Sequence, residues 1–100
     1  MSYQLRYSGE ARHALRSLPA FYRQQVRRVL EALPENPHPP RSGLLREGMP
    51  NGYRIRLGRW RIIYQVDGDE QTIYVLAIRR KAGPETYQDL GLAVPPEPES

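Results

Sequence analysis

The 100-residue sequence contains no cysteine, only two histidines and a single lysine. The absence of cysteine excludes a disulfide scaffold, a thiolate zinc site and a cysteine nucleophile. With only His13 and His38 available, we expect no histidine-based metal cluster, and His38 lies in a proline-rich stretch where we expect solvent exposure. No apolar run is long enough to span a bilayer, and the opening residues lack an apolar signal segment. We therefore expect a cytoplasmic protein with no membrane partner, no metal and no cofactor.

Basic side chains outnumber acidic ones by 15 to 11, and fourteen of the fifteen are arginine. Two of the eleven acidic residues lie in the proline-rich last eight positions, so residues 1–92 carry a formal charge of +6. We predict one domain over 1–92 and a disordered Pro/Glu tail over 93–100. The planar arginine fork suits phosphate, which favours a polyanionic partner. The alternative is an ordinary solvated surface in a protein whose genome favours arginine.

Hydrophobic periodicity predicts the order strand, helix, helix and then three strands. Residues 2–8 alternate like a half-buried strand, and Ser8 is placed to cap a helix that begins near Gly9. The other predicted elements are a second, antiparallel helix from Ala20 to Leu33, a loop over 34–52, strands over 53–57, 59–67 and 72–80, and one or two helical turns over Glu85–Leu92. The fold class is therefore α+β, with a helical hairpin packed on one face of a sheet that contains a three-stranded antiparallel meander.

The face of the sheet away from the helices has to hold Arg54, Arg56 and Arg61, because these alternate with the apolar positions of the first two meander strands. Burying these cations in an apolar core would be very costly, so we expect this face to be open to water or to a ligand. No acidic residue occurs between Gly48 and Val66 that could neutralise them. An open face lined with arginine is suited to a phosphate backbone.

A third basic group, Arg79-Arg80-Lys81, ends the last predicted strand, and Tyr87 follows shortly afterwards. The predicted nucleic-acid-binding set is Arg54, Arg56, Arg59, Arg61, Arg79, Arg80 and Lys81. The cations at the end of the last strand have a simpler interpretation, since basic residues are common at strand ends. Tyr87 has one too, since tyrosine often serves packing alone. We assign Trp60 to the core or to the interface between helices and sheet, because it shares its spacing with Ile62 and Tyr64.

Two runs, LLREGMPNGYRIRLGRWRIIYQVD and VLAIRRKAGPETYQDL, resemble the RelE/ParE toxin superfamily of bacterial type II toxin–antitoxin systems, and the RelE branch in particular. The resemblance covers about residues 2–90 and implies a RelE-like fold. It implies an mRNA endonuclease that inhibits translation by cutting codons in the ribosomal A site. The reaction is attack of a ribose 2′-OH on the adjacent phosphate without a metal. The implied partners are the ribosome with its mRNA, a cognate antitoxin, and operator DNA only through the antitoxin complex.

The resemblance also implies roles for individual residues. The implied catalytic set is Arg54, Arg56, Arg61, Lys81 and Tyr87. Arg61 matches the arginine that binds the transition state, and Lys81 matches the late basic position, with Arg80 as the alternative. Tyr87 matches a tyrosine that stacks on a base or assists proton transfer. Arg54 and Arg56 stand where the RelE pattern has lysines. Because arginine practically never loses its proton, the general base stays open between Tyr87 and groups of the mRNA or ribosome.

Two other functions compatible with the superfamily stay open at this point. One is a ParE-like inhibitor of DNA gyrase that cuts no RNA, in which the arginines would contact protein or DNA. The other is a degenerate toxin that joins its antitoxin on operator DNA as a co-repressor. Both alternatives again require an antitoxin.

Overall fold

The computed structural model describes residues 2–45 and 49–90. A five-stranded sheet carries two helices, in the order β1 (Gln4–Tyr7), α1 (Gly9–Ser17), α2 (Ala20–Ala32), β2 (Ser42–Leu44), β3 (Gly52–Leu57), β4 (Trp60–Asp67), β5 (Thr72–Arg80) and a 3-10 turn (Glu85–Tyr87). The predicted α+β class, the helical pair and the meander are thereby confirmed. The predicted tail at 93–100 lies outside the described residues.

The first helix begins where its sequence predicts, because Ser8 supplies the cap. The Ser8 hydroxyl accepts a hydrogen bond from the Ala11 amide at 2.9 Å and donates one to the Leu76 carbonyl of β5 at 2.6 Å. The same buried side chain therefore starts α1 and fixes it to the sheet. After Leu18, Pro19 precedes the first residue of α2, where its missing N–H leaves no helical hydrogen bond unmade.

The sheet has the strand order β1-β5-β4-β3-β2. The antiparallel meander of β3, β4 and β5 is as predicted, whereas β1 joins the edge of β5 in parallel. The prediction of a loop over 34–52 is wrong for Ser42–Leu44, which pairs with β3 as a short edge strand. Three residues among prolines are too few to show strand periodicity, so the pairing comes from β3 rather than from local preference.

Two apolar clusters lie on opposite faces of the sheet. The larger one is sandwiched between the helices and the sheet, with Val26 and Leu30 of α2 against Ile55, Ile62 and other strand residues. Trp60 packs partly buried against this cluster, as predicted. The smaller cluster occupies the other face and is composed of Leu45, Ile63, Leu76, Ala77 and Leu90, with Met49, Tyr74 and Tyr87 around it.

A bulge changes which residues of β5 face each side. The register shifts between Ile63 and Tyr64, which are opposite Ala77 and Val75, so Leu76 is the extra residue. Leu76 and Ala77 consequently both join the smaller cluster, and Arg79 becomes the register partner of Arg61. The bulge therefore decides which cations of β5 share a face with those of β3 and β4.

The described chain after β5 includes a 3-10 turn that packs against the sheet. Of the helical turns predicted over Glu85–Leu92, the structure describes the 3-10 turn Glu85–Tyr87 and a helical Leu90, and residues 91 and 92 lie outside the described residues. Asp89, with a φ of 59°, separates the 3-10 turn from Leu90. Within the described ranges, no helix has the length and apolar character required to cross a membrane.

Candidate nucleic-acid interface

Arginines of three neighbouring strands form one row across the sheet. Arg56 lies directly opposite Arg61, and Arg61 lies opposite Arg79. Arg54 is two residues from Arg56 on the same strand and therefore on the same face. We call the surface of Arg54, Arg56 and Arg61 the basic face. Like charges directly opposite one another destabilise a sheet, so this arrangement opposes folding unless an anion is bound.

The prediction of an open face is wrong for Arg61, whose side chain is buried, with 7% of the residue exposed. Its Nη1 donates hydrogen bonds of 2.9 Å to the carbonyls of Gly58 and Trp60, at the turn between β3 and β4. These two bonds fix the plane of the guanidinium. Within residues 2–45 and 49–90, its Nε and Nη2 donate to no acceptor. An oriented guanidinium with three N–H groups that have no acceptor among the described residues is suited to a phosphate oxygen.

Arg54 extends sideways over the edge strand, above Gly43. A Cβ atom built on Gly43 would lie 2.7 Å from Nη1 of Arg54, so any larger residue would collide with the guanidinium. Gly43 is the register partner of Arg54. Arg56, in contrast, is exposed. The basic face thus presents one buried, one half-buried and one solvent-exposed arginine.

Arg79 has quite different partners from those predicted. Its Nε and Nη2 donate to both carboxylate oxygens of Glu10, at 2.6 and 2.8 Å. Its Nη1 donates to the carbonyls of Thr86 and Gln88, at 2.9 and 2.6 Å. The Glu10 hydrogen bond raises the pKa of the Arg79 guanidinium. In the part of the chain that the structure describes, this is the one ion pair, so Arg79 is committed to protein partners.

The remaining predicted cations surround the turn between β3 and β4. Arg59 is exposed in this turn, and its carbonyl accepts a 2.7 Å hydrogen bond from the Lys81 amide. Lys81 is therefore held at the Arg61 end of the sheet, with an exposed side chain. Arg80 has Trp60 as its register partner and alternates with Arg79, which places it on the face that carries the helices. The structure thus brings together Arg54, Arg56, Arg61 and Lys81, and separates Arg80 from them.

Tyr87 packs half-buried against the smaller apolar cluster, on the same face as the arginines. The Thr86 hydroxyl accepts a 2.7 Å hydrogen bond from the Ala82 amide, and Thr86 itself is only 3% exposed. Leu90 inserts its side chain into the cluster beyond Tyr87. Packing and contact with RNA are both compatible with this position, because Tyr87 is only partly buried.

Two residues of this region have structural roles that the sequence did not indicate. In the sequence, Glu10 is recognisable only as an acidic residue in the first turn of a helix. Its partner, Arg79, is 69 positions away. Gly43 lies in a proline-rich stretch, where a glycine simply indicates a loop. An unusually small residue opposite a large cation becomes informative only once the register of β2 and β3 is known.

The opposite side of the molecule holds a separate cavity of about 310 Å³, lined by Tyr7, Arg12, Leu15, Arg27 and Glu31. Burial raises the pKa of the Tyr7 phenol, against an opposing effect of the Arg27 charge. Over the described ranges, no three or more His, Cys, Asp or Glu side chains are grouped to share a metal ion.

Comparison with known proteins gives a consistent set of similarities. The family model for the "ParE toxin of type II toxin-antitoxin system, parDE" matches residues 5–83. The mRNA interferase toxin RelE of Escherichia coli K12 is 28% identical over 91 residues, covering 89% of this chain and 94% of that protein.

Solved structures agree with the sequence comparisons. A double mutant of E. coli toxin RelE in the free state superposes with a TM-score of 0.76 at 26% identity, covering 92% of this chain and 97% of that one. The archaeal RelE–RelB complex from Pyrococcus horikoshii OT3 gives a TM-score of 0.72 at 27% identity, covering 83% and 99%. The intact RelBE toxin–antitoxin complex of E. coli gives 0.71 at 26% identity, covering 81% and 99%.

Proposed function

Because this chain belongs to the ParE toxin family of type II toxin–antitoxin systems, we propose that it is a toxin of the RelE branch that cuts mRNA on the ribosome. The observation that carries the proposal is the basic face, where Arg54, Arg56 and Arg61 lie on the same face of two neighbouring strands, at the end of the sheet where the Lys81 backbone is held. The similarity to the mRNA interferase RelE over nearly the whole chain supports the same activity.

The reaction proposed is attack by a ribose 2′-OH on the adjacent phosphodiester, with departure of the 5′-oxygen of the next nucleotide. Negative charge accumulates on the non-bridging oxygens in the transition state. Fixed cations aimed at those oxygens lower the barrier because they require no reorganisation during the reaction. Since the nucleophile is the 2′-OH, DNA cannot undergo this reaction.

Arg61 is the residue best prepared to bind the transition state. Its two hydrogen bonds to backbone carbonyls hold the guanidinium plane before the substrate arrives. Arg56, directly opposite and exposed, binds the same phosphate or its neighbour along the strand. Arg54 adds a third positive charge on the side of β2, where Gly43 leaves room for its guanidinium. The three arginines supply charge and orientation, and none of them accepts a proton.

Proton transfer needs other groups. Lys81 is the only side chain near the basic face that can act as an ammonium acid toward the leaving 5′-oxygen. Tyr87 lies on the same face and is the protein's own candidate for the 2′-OH proton or for stacking against a base. Groups of the mRNA or ribosome are the other source of a base.

An antitoxin is the second partner that we propose. Solved relatives include complexes of RelE with RelB from E. coli and from P. horikoshii. Neutralising the basic face requires an acidic or amphipathic segment, because unpaired arginines cannot be covered by an apolar one without a large desolvation cost. Operator DNA is then contacted through the antitoxin complex.

The test uses a reconstituted translation reaction in which mRNA 5′ ends are mapped with and without ribosomes. Wild-type protein should produce cuts within codons only when ribosomes are present. Arg56→Ala is the informative variant, because Arg56 is exposed and its removal leaves the fold intact. We expect about a 100-fold slower cut. Arg16→Ala, an exposed arginine at the end of α1, should cut at the wild-type rate.

Intact mRNA in the presence of wild-type protein, with E. coli RelE active in parallel, would overturn the proposal. The next measurement would then be inhibition of DNA supercoiling by gyrase, which tests the ParE-like alternative. Equal cutting by wild type and Arg56→Ala would also overturn the assignment of the basic face.

A further inference from the structure

Arg79 forms hydrogen bonds with the residue before Tyr87 and with the residue after it. The two carbonyls that accept from its Nη1 belong to Thr86 and Gln88, the immediate neighbours of Tyr87. Fixing one carbonyl on each side of Tyr87 limits the backbone of this short stretch and hence the direction of the Tyr87 ring. The opposite end of the same guanidinium is fixed by both oxygens of Glu10.

Glu10 is itself held firmly, because it lies in the first turn of α1 directly after the Ser8 cap. Ser8 ties that turn to the Leu76 carbonyl of β5. A continuous chain of contacts therefore runs from the sheet through the start of α1 and Glu10 to Arg79 and the peptides beside Tyr87. Tyr87 is the last residue of a three-residue 3-10 turn, which is weak on its own.

We propose that Arg79 and Glu10 are positioning residues for Tyr87 in the cleavage reaction, and that Arg79 does not bind RNA. This inference rests on the proposed function. All of the nitrogen donors of Arg79 face protein acceptors, and its side chain is 20% exposed. Four of its five N–H groups are used in this way, so binding a phosphate with the fork of two nitrogens would break hydrogen bonds to the carboxylate or to the carbonyls on either side of Tyr87. The charge of Arg79 is already compensated by Glu10, unlike the charges of the basic face.

Glu10→Gln separates the two roles of Arg79 most sharply. If Arg79 bound RNA, neutralising its carboxylate partner would free the guanidinium and strengthen RNA binding. If Arg79 positions Tyr87, the same substitution loosens the arrangement and slows cutting. We expect about a fivefold fall in kcat/KM for Glu10→Gln and about a tenfold fall for Arg79→Ala, since displaced groups in a site cost rate steeply. Glu35→Gln changes an exposed carboxylate elsewhere and should have no effect.

A positioning role also predicts that the effects are not independent. Arg79→Ala and Tyr87→Ala should show the same division of the loss between kcat and KM. Adding Arg79→Ala to Tyr87→Ala should cause no further loss, because the tyrosine to be positioned is already gone. Arg79→Lys should behave like Arg79→Ala, since one ammonium cannot bridge the Glu10 carboxylate and both carbonyls. Multiplying losses in the double variant, or wild-type rates for Arg79→Lys, would overturn the proposal.

Amide hydrogen exchange tests the arrangement without RNA or ribosomes. The amides of Ala82, Thr86 and Gln88 are hydrogen-bonded within the segment that Arg79 holds. They should exchange faster in Arg79→Ala and in Glu10→Gln, and at wild-type rates in Glu35→Gln. Unchanged exchange in both of the first two variants would contradict the positioning role. If the wild type cuts no mRNA, the proposed function fails, while this measurement still decides whether Arg79 and Glu10 hold the segment.

Discussion

At the scale of single residues, side chains of the same type have very different structural roles according to where the fold places them. Arg61 is buried and bonded to two carbonyls, Arg56 is exposed, and Arg79 is tied to a carboxylate. The alternation of the strands predicted that Arg54, Arg56 and Arg61 share a face, and the register of β3 and β4 confirms it. Sequence could not assign Arg79, because its partner Glu10 is remote in the chain and the β5 bulge sets its side.

Two serines, one at each end of α1, provide a matched test of a local prediction. Ser8 is buried, caps the helix and donates to Leu76, whereas Ser17 is exposed and donates only to His13 of its own helix. We expect Ser8→Ala to lower the free energy of unfolding by about 1–3 kcal/mol, because a cap is lost and a buried carbonyl is left unpaired.

Chemical denaturation of both variants measures the difference. Ser17→Ala should lie within about 0.5 kcal/mol of the wild type, since it changes an exposed site. Equal losses for the two serines would show that the Ser8 contacts with β5 contribute nothing beyond the helix itself.

At the scale of secondary-structure elements, the edge strand β2 is the part of the fold that sequence missed. The first two strands of the meander were predictable because each has five or more alternating residues, and the third because its run is apolar on both faces. β2 has three residues and depends on pairing with β3. This strand matters for the site because it places Gly43 opposite Arg54, and the missing side chain of Gly43 leaves space for the Arg54 guanidinium.

Gly43→Ala should therefore separate stability from activity. The collision is with the far end of a flexible side chain, so the arginine swings away at little cost to folding. Alanine also restricts the unfolded chain more than glycine does, and we expect stability within about 0.5 kcal/mol of the wild type. The rate of mRNA cutting should fall about as far as in Arg54→Ala.

The control for Gly43→Ala is Gly68→Ala, where an added Cβ has no neighbour within 4 Å. This variant should keep both stability and activity. Combining Gly43→Ala with Arg54→Ala should add no further loss of cutting. An additional loss in that double variant would show that Gly43 acts on something other than Arg54.

The proline-rich connection before β2 is fixed to β4 by Tyr64, whose hydroxyl donates a 2.7 Å hydrogen bond to the Pro37 carbonyl. Burial raises the pKa of Tyr64 to about 12 from its ordinary value of 10. Between these two pH values the unfolded chain releases the phenolic proton and the folded chain keeps it. The free energy of unfolding must therefore fall as pH rises from 10 toward 12.

Tyr64→Phe removes this titration and should flatten the fall in stability between pH 10 and 12, relative to the wild type. It also removes the hydrogen bond to Pro37, so the variant should start from a lower stability at neutral pH. Urea denaturation across that pH range provides the comparison. Parallel pH dependences for the two proteins would contradict a raised Tyr64 pKa.

At the scale of the whole molecule, the fold separates two chemically distinct faces of one sheet. The helical side buries the main core, and the other side combines a small apolar cluster with the basic face. Periodicity and charge predicted this division, because burying several cations in an apolar core is very costly. Two features depend on long-range packing, which local patterns do not encode. One is the parallel pairing of β1 with β5, and the other is the partial covering of the second face by Leu45, Tyr87 and Leu90.

The most direct test of the central claim replaces a single 2′-OH in the mRNA by hydrogen. Once a cut has been mapped in a ribosome-bound message, the nucleotide on its 5′ side is made 2′-deoxy and the reaction is repeated with wild-type protein. Attack by the 2′-OH predicts that cutting at that bond is abolished while other sites in the message are still cut, because the attacking oxygen is missing. Undiminished cutting at the 2′-deoxy position would contradict it.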